Sequence, residues 1–318
     1  CSLVGSEMCI RDSYCAISPD GTSIAFTYKG DIYTVPVNGG KAAQITTNAA
    51  HDTHPVWSPD GKQIAFASDR MGSMDIFVVD REGGIPKRLT THSGNETPVA
   101  FKDADHILFL ANVMPSAEDA QFPSGQFQQV YEVSTTGDRP VMFSSMPMED
   151  ISINKTGNAL LYHDKKGYED PWRKHHTSSI TRDIWLCSLD GKRSYRKLTS
   201  FNGEDRTPVW ASDGKSFYYL SEEKGSFNVF KRALDGTTST QLTHHTKHPV
   251  RFLTAADNGT LCYGYDGEIY TMKEGTEPRK VQISILTDKN DKDLIRQIRR
   301  NGATEIALSP DAKEVAFI

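Results

Sequence analysis

The chain has 318 residues, with 36 Lys+Arg against 41 Asp+Glu and a formal net charge of −5. That mild acidity argues against a nucleic-acid partner, because phosphate neutralisation needs a basic surface. No run of about 18 apolar residues is present, which excludes a transmembrane helix from the expectations and with it a membrane partner. Length alone suggests about two domains of roughly 150 residues, a division that internal repetition overrides.

The opening CSLVGSEMCIRDS has no basic segment followed by an apolar stretch, so it does not read as a signal peptide. Residues 1–13 are therefore expected to be a non-native start and are set apart. From Tyr14 a pattern begins. YCAISPDG, TSIAFTYKG, DIYTVPVNGG and AAQIT are followed by HPVWSPDG, KQIAFASDR, MDIFVVDREGG and PKRLT. The two sets align piece for piece, and Gly21 and Gly61 stand 40 positions apart. Each piece is a short run of Val, Ile, Phe, Tyr and Leu closed by Gly, Asp, Pro or Asn, which is strand–turn–strand chemistry. In SPDG the proline presets φ and Asp-Gly supplies a capping side chain and a residue tolerant of positive φ.

Weaker copies follow. The third is TPVAFKDAD, HILFLA, QVYEVSTTG, PVMFSS. The fourth is EDISINKTG, NALLYHDKKG, RDIWLCSLDG, YRKLTS. The fifth is TPVWASDG, KSFYYLSEEKG, NVFKRALDG, TQLT. The sixth is HPVRFLTAADNG, TLCYGY, GEIYTMKEG, RKVQISI. A seventh, TEIALSPDAKEVAFI, starts at Thr304 and is incomplete. Four strands per repeat of about 40–50 residues predict an all-β fold: a six-bladed β-propeller with four-stranded antiparallel blades, plus the first strands of a second propeller. The domains are then 14–286 for the propeller, 287–303 for a polar linker containing KNDKDLIRQIRRN, and 304–318 for the truncated second propeller. The one helical stretch expected is a turn or two near Asp291–Arg300. Blade six carries its own fourth strand at Lys280–Ile285. No strand is therefore left to be shared, and the ring is expected to be sealed by side-chain packing alone.

Trp57, Phe101 and Trp210 precede the first turn of their copies. Phe26, Phe66 and Tyr219 recur in the second strand; Tyr33, Phe77, Trp185, Phe230 and Tyr270 recur in the third. Alternation places them between blades as core. Of the five cysteines, Cys1, Cys9, Cys15, Cys187 and Cys262, none forms a CxxC, and no disulfide framework is expected. Cys187 and Cys262 read as small buried hydrophobes.

The repeats PVWSPDGxxIAFxSDR and DIFVVD…RLT resemble the TolB-type (PD40) propeller repeat, which TolB proteins, prolyl-oligopeptidase-type enzymes and tricorn-type proteases share. Three stretches are more specific: AISPDGTSIAFTYKGDIYTVPVNGG, WRKHHTSSITRDIW, and HPVRFLT with LCYGYDGEIYT. They resemble the N-terminal six-bladed propeller of tricorn-like proteases over roughly Tyr14 to Ile318. That resemblance implies a parent serine peptidase with a second propeller, a PDZ domain and an S41-type core downstream. It also implies peptides as substrates, a homo-oligomer (a hexamer in the family) and a cytoplasmic location, with the periplasm as the alternative. The family's catalytic residues would lie in the absent core.

No G-x-S-x-G, H-E-x-x-H or phosphate-binding glycine loop occurs, so no catalytic residue, cofactor or metal is assigned. What remains is binding and gating of oligopeptides. The insertion KKGYEDPWRKHHTSSITR in copy four offers a cationic, aromatic lip on a rigid scaffold. Its candidate peptide-contacting residues are Trp172, Arg173, Lys174, His175, His176 and Arg182, beside Lys165, Lys166 and Tyr168; the alternative is a solvated loop. A second insertion, Asn112–Gln128, is expected to cover one face. His244, His245 and His248 could suggest a metal, as could Asp31, Asp75, Asp183 and Glu268, which precede third strands. Neither group has a completed ligand set, and structural roles are expected, as for His51 and His54. A TolB-type interaction propeller and the propeller half of a prolyl-oligopeptidase-type enzyme are the competing functions.

Overall fold

The computed structural model describes residues 14–112, 127–167, 178–286, 305–310 and 315–317. The expected linker and helical stretch at 287–303, most of the Asn112–Gln128 insertion, and Trp172 to His176 lie outside these residues. Contacts divide the chain into a unit ending at Ile285 and a second unit from Leu286 to Ile318.

The first unit is a six-bladed propeller, each blade built from consecutive strands in antiparallel order. Blade one holds β1 (Cys15–Ile17), β2 (Ser23–Tyr28), β3 (Asp31–Pro36) and β4 (Gly40–Gln44). Blade two holds β5 (Asp52–Trp57), β6 (Gln63–Ser68), β7 (Asp75–Asp80) and β8 (Lys87–Arg88). Blade three holds β9 (Glu96–Phe101), β10 (His106–Ala111), β11 (Gln129–Ser134) and β12 (Val141–Ser144). Blade four holds β13 (Met148–Ile153), β14 (Ala159–Asp164), β15 (Ile184–Ser188) and β16 (Ser194–Lys197). Blade five holds β17 (Asp205–Trp210), β18 (Ser216–Ser221), β19 (Asn228–Ala233) and β20 (Ser239–Gln241). Blade six holds β21 (Arg251–Ala255), β22 (Leu261–Tyr265), β23 (Glu268–Met272) and β24 (Arg279–Lys280).

The SPDG turns behave as their chemistry dictates. In blade one the Gly21 amide donates to the Ser18 carbonyl at 2.8 Å with φ of +71° at the glycine. The Asp20 carboxylate accepts from the Ser18 hydroxyl and the Thr22 amide. Blade two repeats this at Ser58, Asp60 and Gly61.

The expected aromatic positions form the blade interfaces. Second- and third-strand rings sit opposite one another in register, as Phe26–Tyr33, Phe66–Phe77 and Tyr219–Phe230, with centroids 5.8–5.9 Å apart. Six buried apolar clusters result, one between each blade and the next. The indoles of Trp57 and Trp210 reach back a blade, donating to the carbonyls of Ala16 and Ser152 at 2.9 Å.

Ring closure departs from the sequence expectation. The run after Arg279 is longer than blade six uses, because pairing there ends with the Val281 amide on the Ile269 carbonyl. The chain then crosses the seam, and β25 (Ile283–Ile285) adds in parallel to β4 of blade one, Ile283 opposite Gly40. Main-chain hydrogen bonds therefore clasp the outside of the ring, with the Gly40 amide donating to the Gln282 carbonyl at 2.8 Å. Gly39 makes the approach possible. Its φ is +86°, and a Cβ there would lie 2.5 Å from the Gln282 oxygen. At the inner edge, the Asp257 amide donates to the Pro19 carbonyl at 2.8 Å, and the Ile17 amide to the Thr254 hydroxyl at 3.1 Å.

The second unit contains an antiparallel pair, β26 (Ile306–Leu308) and β27 (Val315–Phe317), with Ile306, Leu308 and Val315 exposed.

Two predictions follow from packing and burial. Gly39→Ala is expected to destabilise the propeller by about 1–3 kcal/mol, from positive φ plus the clash with the clasp. Gly191→Ala, where φ is +59° and nothing lies within 4 Å, isolates the φ cost alone. Urea denaturation of both variants checks this, and equal losses would contradict the clasp. The second concerns Glu96, which is 1% exposed, at the boundary of blades two and three. Burial pushes its carboxyl up to about 7, against the hydrogen bond from Thr90. The folded state therefore holds a proton that the unfolded chain releases near its ordinary value of 4.5, and stability falls as pH rises from about 4.5 to 7. Glu96→Gln removes that slope. The difference in unfolding free energy, variant minus wild type, should rise by about 1–3 kcal/mol between pH 4 and pH 8.

Candidate functional site

The innermost strands β1, β5, β9, β13, β17 and β21 surround an axial cavity of about 1030 Å³. Its wall carries the polar side chains that the blade cores exclude. Four inner strands have a register break at the same point, at Thr53/Val56, Glu149/Ser152, Arg206/Val209 and Arg251/Thr254. At each break one residue adopts positive φ: His54 (55°), Asp150 (49°), Thr207 (51°) and Phe252 (56°). Such bulges re-aim side chains and are strained for residues other than glycine. All four line the cavity.

The wall has two chemically distinct sectors. Across blades six, one and two it is aromatic. The Tyr14 ring lies 3.6 Å from His54 and 4.7 Å from Phe252, centroid to centroid. Burial pushes His54 down to about 4, so its imidazole is neutral at pH 7.

Across blades four, five and six the wall is ionic. Turn-based alignment puts Glu149, Arg206 and Arg251 in one column, immediately before the bulge. Glu149 accepts from Lys165 Nζ at 2.6 Å and contacts His163 Nε2 at 3.2 Å and Arg182 Nε at 3.4 Å. Burial alone would raise the Glu149 carboxyl, but His163 and Lys165 hold it far below the usual range. The Thr207 amide donates to His163 Nδ1 at 3.3 Å, and the Asp150 carboxylate lies 3.5 Å from the same nitrogen. The Thr207 hydroxyl donates to Asp150 at 2.6 Å. Behind them Glu204, 1% exposed, binds Arg182 Nη1 at 2.5 Å and lies 3.8 Å from Arg206. Arg206 packs over the Phe227 ring at 4.1 Å. Burial, with the like charges of Arg251 and Arg182, pulls its guanidinium down to about 10, still protonated at neutral pH.

Of the six residues singled out from the copy-four insertion, only Arg182 lies among the described residues. It is buried at 6% exposure and bridges Glu149 and Glu204 at the cavity wall. Lys165 joins the same cluster, while Lys166 binds Asp183 at 2.5 Å and the Thr181 carbonyl at 2.6 Å. Two of the three histidines hold structural contacts, while His244 is exposed. His245 stacks on Tyr265 at 3.8 Å and contacts the Tyr263 hydroxyl at 3.0 Å, while His248 meets Asp266 at 3.1 Å. The acids that precede the third strands bind across to the fourth: Asp31 with Gln44, Asp75 with Arg88, Asp183 with Lys197, and Glu268 with Lys280, at 2.8–3.0 Å. Sequence reading missed Tyr14, Glu149, His163, Arg206, Thr207, Arg251 and Phe252. The available signal was a charged column in strands that are otherwise apolar.

The sequence profile described as the tricorn protease N-terminal beta propeller domain matches residues 13–278. The chain belongs to this family. Tricorn protease homolog 1 of Streptomyces coelicolor is 26% identical over 271 residues, covering 84% of this chain and 24% of the relative. The tricorn protease of Thermoplasma acidophilum is 24% identical over 288 residues, covering 87% and 26%. The chain thus spans about a quarter of the length of these curated relatives. Among solved structures, a tricorn protease crystal structure aligns with a TM-score of 0.70 at 20% identity, over 88% of this chain and 27% of that one. TolB from Acinetobacter baumannii aligns at 0.60 with 16% identity, over 82% and 60%. At these identities the structural likenesses speak to the fold.

The buried ion network yields a stability prediction. Arg182→Met removes the nearest cation from Glu204 and weakens the hold on Glu149, and should cost about 3–5 kcal/mol. Arg182→Met with Glu204→Gln should recover part of that loss, measured as the coupling in a urea-denaturation double-mutant cycle. Additive effects would contradict the network.

Proposed function

We propose that this propeller is the non-catalytic portion of a tricorn-type serine protease. It channels oligopeptides through its axial cavity to or from an S41-type peptidase core further along the parent chain. The observation that carries the reading is the cavity itself. Its aromatic sector can take apolar side chains, and its ionic sector offers donors and acceptors for peptide groups and charged side chains. Membership of the family and the quarter-length coverage of its relatives support a multidomain parent. The chemistry is assigned to a peptidase core outside the given residues, since the curated relatives extend far beyond the matched region. The neighbouring domains of the same chain and the peptides in transit are then the partners.

Narrowing the cavity tests this. Thr97 lines it from β9 and is half-buried. In the full-length protein, Thr97→Trp should slow turnover of peptides of about ten residues at least five-fold. Cleavage of a short chromogenic substrate should stay within about two-fold. Equal effects on both lengths would overturn the channel, and a reading frame downstream with no peptidase core would overturn the parent assignment.

A further inference from the structure

The inner seam between blades one and six contains two buried free thiols in one apolar cluster. Cys15 begins β1, 4% exposed, and its Sγ lies 3.6 Å from the Phe252 carbonyl of β21. Two residues on, the Ile17 amide donates to the Thr254 hydroxyl of the same strand. Thr254 pairs in register with Cys262 on β22, which is fully buried. β1 is thereby fixed beside the one cysteine of blade six, the Cys15 thiol neighbours that of Cys262, and both are free thiols in this structure. Both belong to the apolar cluster that joins the first blade to the last. Cys187 belongs to the cluster between blades three and four, away from this seam.

We propose that Cys15 and Cys262 form a disulfide that covalently closes the ring. The placement is what gives the bond an effect. The two cysteines are 247 positions apart in sequence, so a link between them constrains nearly the whole unfolded propeller. The pairing does not depend on the channel function.

The chemistry is exchange with a low-molecular-weight disulfide such as oxidised glutathione. The thiolate of Cys15, the more exposed of the two, attacks a reagent sulfur. One glutathione thiolate leaves, and Cys15 is held as a mixed disulfide. The thiolate of Cys262 then attacks the Cys15 sulfur and expels the second glutathione. Two protein thiols are oxidised by two electrons, the reagent is reduced to two thiols, and the two protons end on those thiols. Burial and the adjacent thiol hold Cys262 well above the usual thiol range, so exchange is slow while the seam is shut. The bond should form as the last blade docks during folding.

The test refolds the full chain in a glutathione redox buffer, traps free thiols with an alkylating reagent, and maps linked peptides by mass spectrometry. The expected result is a Cys15–Cys262 cross-link in most molecules and a thermal midpoint several degrees above that of the reduced protein. Cys262→Ser should lose both effects. Alkylation of both cysteines, glutathione held on Cys15 with Cys262 free, or linkage of Cys15 to Cys1, Cys9 or Cys187 would overturn the proposal. The wild-type map decides even if the variant folds poorly.

Discussion

A four-stranded blade cannot bury itself. Each face is apolar and must be covered by the next blade, so the whole stability of a propeller rests on the first blade meeting the last. In this chain that meeting is reinforced twice. At the inner edge, β1 donates a hydrogen bond to Thr254 of β21, and the turn after β1 accepts one from the loop after β21. At the outer edge, β25 adds to β4. Between them Ile24, Phe26, Val35, Cys262, Ile269 and Val281 fill the seam as the other five clusters fill the other interfaces. Because every interface must hold for any to be complete, a fault at Gly39 is felt around the ring.

Closure also makes the axial cavity. Inner strands turn one edge to the axis, where neither a blade core nor bulk solvent fully governs side-chain choice. The chain places aromatic rings on one side and an ion network on the other. Arg182 offsets both Glu149 and Glu204, and Arg206 adds to the hold on Glu204, which lets charged groups sit deep in the wall. Strain at His54, Asp150, Thr207 and Phe252 is the local cost of turning those side chains toward the axis. A wall of this kind presents both apolar and charged surface to the axis, which is what the proposed conduit would use.

What was legible in the sequence was what local chemistry decides. SPDG forms its turn from four adjacent residues, and in-register aromatic pairs such as Phe66 and Phe77 follow from strand alternation. Blade number and order followed from repetition. The clasp was not legible. Whether Ile283 pairs with blade six or blade one depends on which edge is free three-dimensionally, and only the tight fit of Gly39 under Gln282 hints at it. The cavity was partly hidden for the same reason. Arg182 read as one charge among several in a basic loop, since its partners Glu149 and Glu204 lie 33 and 22 residues away. Cys15 and Cys262 looked unrelated because the seam that unites them exists only in the closed ring.

The central claim is that hydrogen bonds, as well as side chains, close this ring. Hydrogen exchange read by mass spectrometry on the wild-type chain tests it most directly. The account predicts that amides in the segments Gly40–Ala42 and Ile283–Ile285 exchange together, and slowly, as those of the other outer strands do. Fast exchange in Ile283–Ile285 beside a protected blade six would contradict it.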